Sequence, residues 1–176
     1  QKGIDYIGDV TEFENQLQQH AAIADHFGYK LSIHSGSDKF SVFPMIGKYT
    51  GGRLHLKTSG TNWLEAVGAV AERNPALYRA IHEKALAHFE EAKAFYHVSG
   101  DPAKVDSPSA RKDDALIGYL ADDNSRQLLH ITYGFILEDD SLKEALYRTL
   151  EENEEHYYRR LIAHIGRHLN LTGLEE

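Results

Sequence analysis

The sequence predicts an α/β fold of parallel βα units, TIM-barrel-like, followed by C-terminal helices. Three observations predict it. Short β-favourable runs alternate with segments of helical period over residues 1–100. Those runs end in polar loops carrying His, Lys and Ser, where βα folds place their ligands. Beyond residue 115 apolar side chains recur at helical spacing alone. Four βα units make half of an eight-stranded barrel, whose full form takes about 250 residues. The pattern therefore reads as the C-terminal half of a barrel, with a small open α/β sheet as the alternative. Residues 1–100 carry the four units and the site loops, 101–114 form an exposed connection, and 115–176 are helices packing on the same domain.

The first expected strand is Ile4–Ile7, ending at Gly8-Asp9. A helix follows, with Thr11 as N-cap and Glu14 as its capping-box partner. Phe13, Leu17, Ala21 and Ala24 give it an apolar face, and Gly28 stops it. Lys30–His34 is the second strand, running into Ser35-Gly36-Ser37-Asp38. A loop marked by Pro44 and Gly51-Gly52 leads to the third strand, Arg53–Lys57. Thr61 or Asn62 caps an apolar stretch through Trp63, Leu64, Val67 and Val70. From Pro75 a long helix carries Leu77, Ile81, Ala85 and Phe89. Ala94–Val98 is the fourth strand, and helices are expected over about 115–121, 124–137 and 141–168.

Composition narrows the function. The chain has 176 residues and a net charge of −8, which disfavours nucleic acid and anionic membranes as partners but leaves room for a local basic pocket. It contains no cysteine, which removes disulfides, thiolate metal sites and a cysteine nucleophile, and fits a cytoplasmic location. No stretch reaches the roughly 20 apolar residues of a membrane span. The opening Gln1-Lys2-Gly3 lacks an initiator methionine, so the chain reads as a piece of a longer protein.

Two loops carry the chemistry. In His34-Ser35-Gly36-Ser37-Asp38-Lys39, Gly36 lets backbone N–H groups approach an anion, Ser35 and Ser37 supply hydroxyls, and Lys39 supplies a charge. A capped strand-to-loop turn is the plainer reading of the same residues. His55-Leu56-Lys57-Thr58-Ser59-Gly60-Thr61-Asn62 is a second hydroxyl-rich loop without the glycine spacing of a phosphate-binding P-loop. Its Thr58 and Asn62 are candidate substrate ligands, and helix capping by Thr61 or Asn62 is the plainer reading of the loop. His34 and His55, at the ends of adjacent strands, are candidate ligands of one divalent metal. His130 sits in an apolar stretch and reads as a core histidine with one hydrogen-bond partner. His82, His88, His156 and His164 lie on long helices and converge on no common face.

These loops, with Gly3-Ile4-Asp5-Tyr6-Ile7-Gly8-Asp9 and Leu129-His130-Ile131-Thr132-Tyr133-Gly134, resemble the tagaturonate epimerase (tagaturonate/fructuronate epimerase) family. The resemblance spans nearly the whole chain. It implies epimerisation of a keto-hexuronate with help from a divalent metal, the family proteins being longer by an N-terminal portion. Retro-aldol cleavage and re-addition is the chemistry expected. Within the loops, residue chemistry then suggests His34 and His55 for metal, Asp38 or Lys57 for proton transfer, and Lys39 with Ser35 and Ser37 for the sugar acid. The alternatives are another sugar isomerase or aldolase on a similar barrel, or a non-catalytic uronate-binding module.

Overall fold

The computed structural model describes residues 2–34 and 38–174. It is a mostly helical α/β structure around one parallel strand pair, β1 (Leu31–His34) and β2 (Leu54–Lys57). Side chains alternate across this pair. Leu31, Ile33, Leu54 and Leu56 are half-buried, while Ser32, His34, His55 and Lys57 face outward. The register sets Ser32 beside His55 and His34 beside Lys57.

Helix α1 (Val10–Phe27) precedes β1 and buries Leu17, Ala21 and Ala24. Its N-cap is Asp9 rather than Thr11: the Asp9 carboxylate accepts the Glu12 N–H at 2.9 Å. Gly28, at φ 72°, closes its far end in the left-handed conformation. Between the strands, the segment read as a loop contains α2 (Phe43–Thr50), with Pro44 in its first turn and Phe43, Ile46 and Gly47 buried. β1, α2 and β2 thus make one βαβ unit. After β2 the chain enters α3 (Ser59–Arg73), which starts ahead of the expected Thr61/Asn62 cap. Asn74 then caps α4 (Pro75–Lys93), its side chain accepting the Leu77 N–H at 3.2 Å.

Two expected strands are absent from the described residues. Ile4–Ile7 makes no ladder, because its polar groups are spent on the loop after β1. Ile4 C=O accepts the Asp38 N–H at 3.2 Å, and the Asp5 carboxylate accepts the Ser41 N–H and hydroxyl at 3.1 and 3.0 Å. Ala94–Val98 instead prolongs the end of α4 as turns, with Ala94, Phe95 and Tyr96 N–H bonding three residues back. Of four expected βα strands, two are therefore formed.

Three short 3-10 segments (Pro102–Lys104, Pro108–Ala110, Asp113–Ala121) lead to the remaining helices. These are α5 (Asp123–Ile131), α6 (Tyr133–Glu138), α7 (Asp140–Glu152) and α8 (Glu154–Leu171). The first expected long helix breaks at Thr132, whose hydroxyl back-bonds to Leu128 C=O at 2.8 Å. The second breaks at Asn153 (φ −126°, ψ 34°).

Burial forms two clusters. The larger joins α3 to α7 around Leu64, Val67, Tyr78, Ile81, Leu116, Tyr119, Leu128 and Ile136. The smaller lies under the strand pair, around Leu17, Val42, Phe43 and Ile46. His168 on α8, fully buried, stacks edge-on against Phe40 and Phe43 at 4.8 and 5.0 Å and ties α8 to the smaller cluster.

Candidate functional site

A cleft of about 310 Å³ opens where β1 and β2 end. His34 and Lys57, paired in register, form one wall. Ser59 and Gly60, the first turn of α3, form another, so a helix N-terminus faces the space. Trp63, Tyr96 and Tyr133 supply aromatic surface, and Lys2 and His130 complete the lining. Trp63 is held by its indole N–H, which donates to Leu129 C=O at 2.9 Å. Among the described residues the cleft's lining has two lysines and no carboxylate, on a chain whose net charge is −8. That is a field for an anion.

Each expected site residue has a definite position. His34 and Lys57 line the cleft together. His55 is on the same outward face but two residues back along β2, its Nδ1 sharing a hydrogen bond of 2.8 Å with Ser32 Oγ. Ser35 and Ser37 lie outside the described residues. Lys39, at φ 52°, turns its ammonium onto His34 C=O. It thereby ties together the two sides of the intervening loop, and burial pushes its pKa down, with Lys2 adding to the effect. Thr58 C=O accepts the N–H groups of Thr61 and Asn62, so Thr58 opens α3. Ser59 and Gly60 face the cleft where Thr58 and Asn62 were expected to.

Asp38 faces elsewhere. Its Oδ2 takes a hydrogen bond from Arg126 at 2.6 Å, and both side chains are largely buried. Burial raises the Asp38 pKa, and the Arg126 charge opposes that rise. It borders a second depression with Glu65, Arg160, His164 and Arg167. There Arg160 pairs with Glu65 at 2.9 Å and Glu72 at 3.0 Å, and His164 Nε2 meets Thr61 Oγ1 at 2.8 Å. His164 Nδ1 lies 3.6 Å from Glu65, but burial holds its pKa down to about 4, so near neutral pH this contact is not an ion pair.

Five cleft residues were missed from sequence: Lys2, Trp63, Tyr96, His130 and Tyr133. His130 is buried as expected, but its Nδ1 has no hydrogen-bond partner among the described residues. Burial, with help from Lys2, pushes its pKa down to about 4, so it is neutral at pH 7. His130 and Tyr133 are three residues apart, a spacing that signals a shared side where the two flanking helices meet. Lys2 precedes one of the segments taken for strands and Tyr96 lies in the other, and no local pattern announces their meeting.

Among the described residues no three His, Asp or Glu side chains are gathered to hold a metal. No helix there is long and apolar enough to cross a membrane.

A βαβ unit with a cationic, aromatic-lined cleft at its strand ends places the chain in a class, that of βα proteins, whose ligands generally meet the carboxyl ends of the strands. The chain belongs to the tagaturonate epimerase family, whose model matches residues 1–172. It is 51% identical over 172 residues to a tagaturonate/fructuronate epimerase of Thermotoga maritima, covering 97% of this chain and 36% of that protein. It is also similar to crystal structures of a fructuronate-tagaturonate epimerase from Cohnella laeviribosi. The native form is 55% identical with a TM-score of 0.91, covering 98% of this chain and 36% of that one. The form complexed with one glycerol is 56% identical with a TM-score of 0.92 and the same coverage. The chain thus spans about a third of the length of these relatives.

Proposed function

We propose that this chain is part of an isomerase that interconverts tagaturonate and fructuronate, with the sugar acid bound in the His34–Lys57 cleft. The family match over residues 1–172 carries the reading. A cleft lined by lysines and a helix N-terminus, with no carboxylate among the described residues, supports it. The barrel belongs to this proposal too: β1–α2–β2 is a unit of the kind such a barrel repeats.

The carbon inverted lies one position beyond the carbon next to the ketone, so no adjacent carbonyl stabilises its deprotonation. Retro-aldol chemistry reaches it. A base takes the proton of the hydroxyl on that carbon and the neighbouring carbon–carbon bond breaks. Its electron pair moves onto the ketone-bearing fragment as an enediolate, leaving an aldehyde. The aldehyde turns, the bond reforms on its other face, and the proton returns to the new hydroxyl oxygen. Lys57 is the residue we place at that proton, its free-amine form taking it and its ammonium form returning it, since the side chain lines the cleft, while Asp38 holds Arg126. The first turn of α3 orients substrate oxygens, and Trp63 and Tyr133 limit water.

His34 and His55 suit two positions in a metal's ligand set. They share one face of the strand pair, and Ser32 Oγ on His55 Nδ1 leaves Nε2 as the ligating atom. A divalent cation held there would supply Lewis acidity to the ketone end of the substrate.

The complete enzyme incubated with tagaturonate should yield fructuronate, followed by NMR. Release of products with shorter carbon chains would replace this reading with an aldolase.

A further inference from the structure

We infer that Lys2 is the cation that receives the substrate's carboxylate, and so sets a preference for sugar acids over neutral sugars. The inference rests on the reading of the cleft as the substrate site.

Three ammonium groups, those of Lys2, Lys39 and Lys57, stand around His34, and among the described residues none of them has a carboxylate partner. Like charges gathered without a counter-ion repel one another, and an arriving anion relieves that cost. Two of the three already have a place. Lys39 donates to His34 C=O, and Lys57 lies beside His34 at the end of β2, where the proton transfer is proposed. Lys2 remains. Its ammonium rests 5.4 Å from the centre of the Tyr96 ring, an interaction that positions the charge without neutralising it. Its charge also bears on His130, whose proton affinity it lowers, so its field reaches into this end of the cleft.

The backbone beneath Lys2 is fixed. Gly3 adopts φ 73° and presses on α5 so closely that a Cβ would lie 2.8 Å from Arg126 C=O. Gly3 C=O in turn accepts the Arg126 Nε–H at 2.6 Å. The following residues are bound as well, Ile4 to Asp38 and Asp5 to Ser41. A lysine whose main chain is held this way loses less freedom when it pairs with a ligand. His130, neutral and buried beside it, offers a polar contact that does not compete for the anion.

The test compares tagaturonate with tagatose, which carries a hydroxymethyl group in place of the carboxylate, on the complete enzyme. Binding is measured by calorimetry for the wild type, Lys2→Met and Lys2→Arg. A charge-assisted contact predicts that Lys2→Met weakens tagaturonate binding roughly 10- to 100-fold and leaves tagatose binding unchanged. Lys2→Arg should recover most of the loss. An equal loss for both sugars, or no loss for either, overturns the inference. If the wild type prefers tagaturonate and Lys2→Met abolishes that preference, Lys2 stands even where turnover of tagaturonate is absent. In that case the proposed reaction fails on its own.

Discussion

Arg126 reaches Asp38 at 2.6 Å and at the same time spans two other chain segments, donating to Gly3 C=O at 2.6 Å and Leu120 C=O at 2.8 Å. One guanidinium thus connects the loop after β1, the N-terminal segment and the 3-10 segment before α5. Asp38 reads as a catalytic acid when the sequence is scanned for carboxylates in polar loops. Its pairing with Arg126 makes it the post to which the cleft's N-terminal edge is fastened.

Arg126→Met leaves the Asp38 carboxylate buried without its partner. Removing one member of a buried pair costs about 3–5 kcal/mol. Asp38 and Arg126 side chains are 12% and 14% exposed, which places this pair in the buried class. Urea denaturation of the complete protein should show a lower midpoint with an unchanged slope. A loss below about 1 kcal/mol, the range of surface pairs, would show that the pair is solvated.

His82, His130 and His164 are each held down to about 4 by burial. Their ordinary value is 6.5. Between these limits the unfolded chain binds three protons that the folded chain refuses, so stability is full above pH 6.5 and is lost as pH falls. The slope approaches about 1.4 kcal/mol per pH unit for each histidine. Asp38 and Glu65, whose pKa values burial raises, act in the opposite sense. Stability measured between pH 7.5 and 5.5 therefore reads the histidines against any opposing contribution of these two carboxylates. His164→Asn should flatten the dependence by about a third, and an unaltered profile would place that imidazole in water.

Gly47→Ala tests how α2 meets the end of α8. A Cβ at Gly47 would fall 2.2 Å from Thr172 C=O, and a backbone atom cannot yield as a flexible side chain can. Overpacking of this kind costs about 1–3 kcal/mol. The thermal midpoint should fall, whereas Gly134→Ala, which meets nothing within 4 Å, should leave it nearly unchanged.

The parts of the fold written in local periodicity were legible. β1, β2, α1 and α4 follow from alternation, apolar spacing, the stop at Gly28 and the start at Pro75. Ile4–Ile7 and Ala94–Val98 have strand-like composition, but a strand needs a neighbour to pair with, and neither segment has one among the described residues. α2 was hidden because Pro44 signals a turn as readily as a helix start. For the cleft, His34 and Lys57 were legible from their places at strand ends. Lys2, Tyr96 and His130 were not, because they converge through contacts between segments far apart in the chain. The cluster at His164 and His168 escaped notice for the same reason: Phe40, Thr61 and Glu65, which those rings meet, come from other elements.

His34→Ala and His55→Ala separate the metal proposal from the cleft itself. If both imidazoles bind one divalent cation, each substitution should lower the metal content of the purified complete enzyme and its turnover together. Loss of a ligand removes a bond that no water fully replaces. Ser32→Ala should show a weaker version of the His55 phenotype, since Ser32 Oγ orients that ring from 2.8 Å; partners of this kind are worth about 10- to 100-fold in metal affinity. Lys57→Met differs in kind: turnover should collapse while metal content holds, because its amine is placed at the proton and not at the cation. Metal analysis by mass spectrometry, run beside the activity assay, reads all four variants. Full occupancy in both histidine variants would move the cation to other residues and leave His34 as a substrate contact in the cleft.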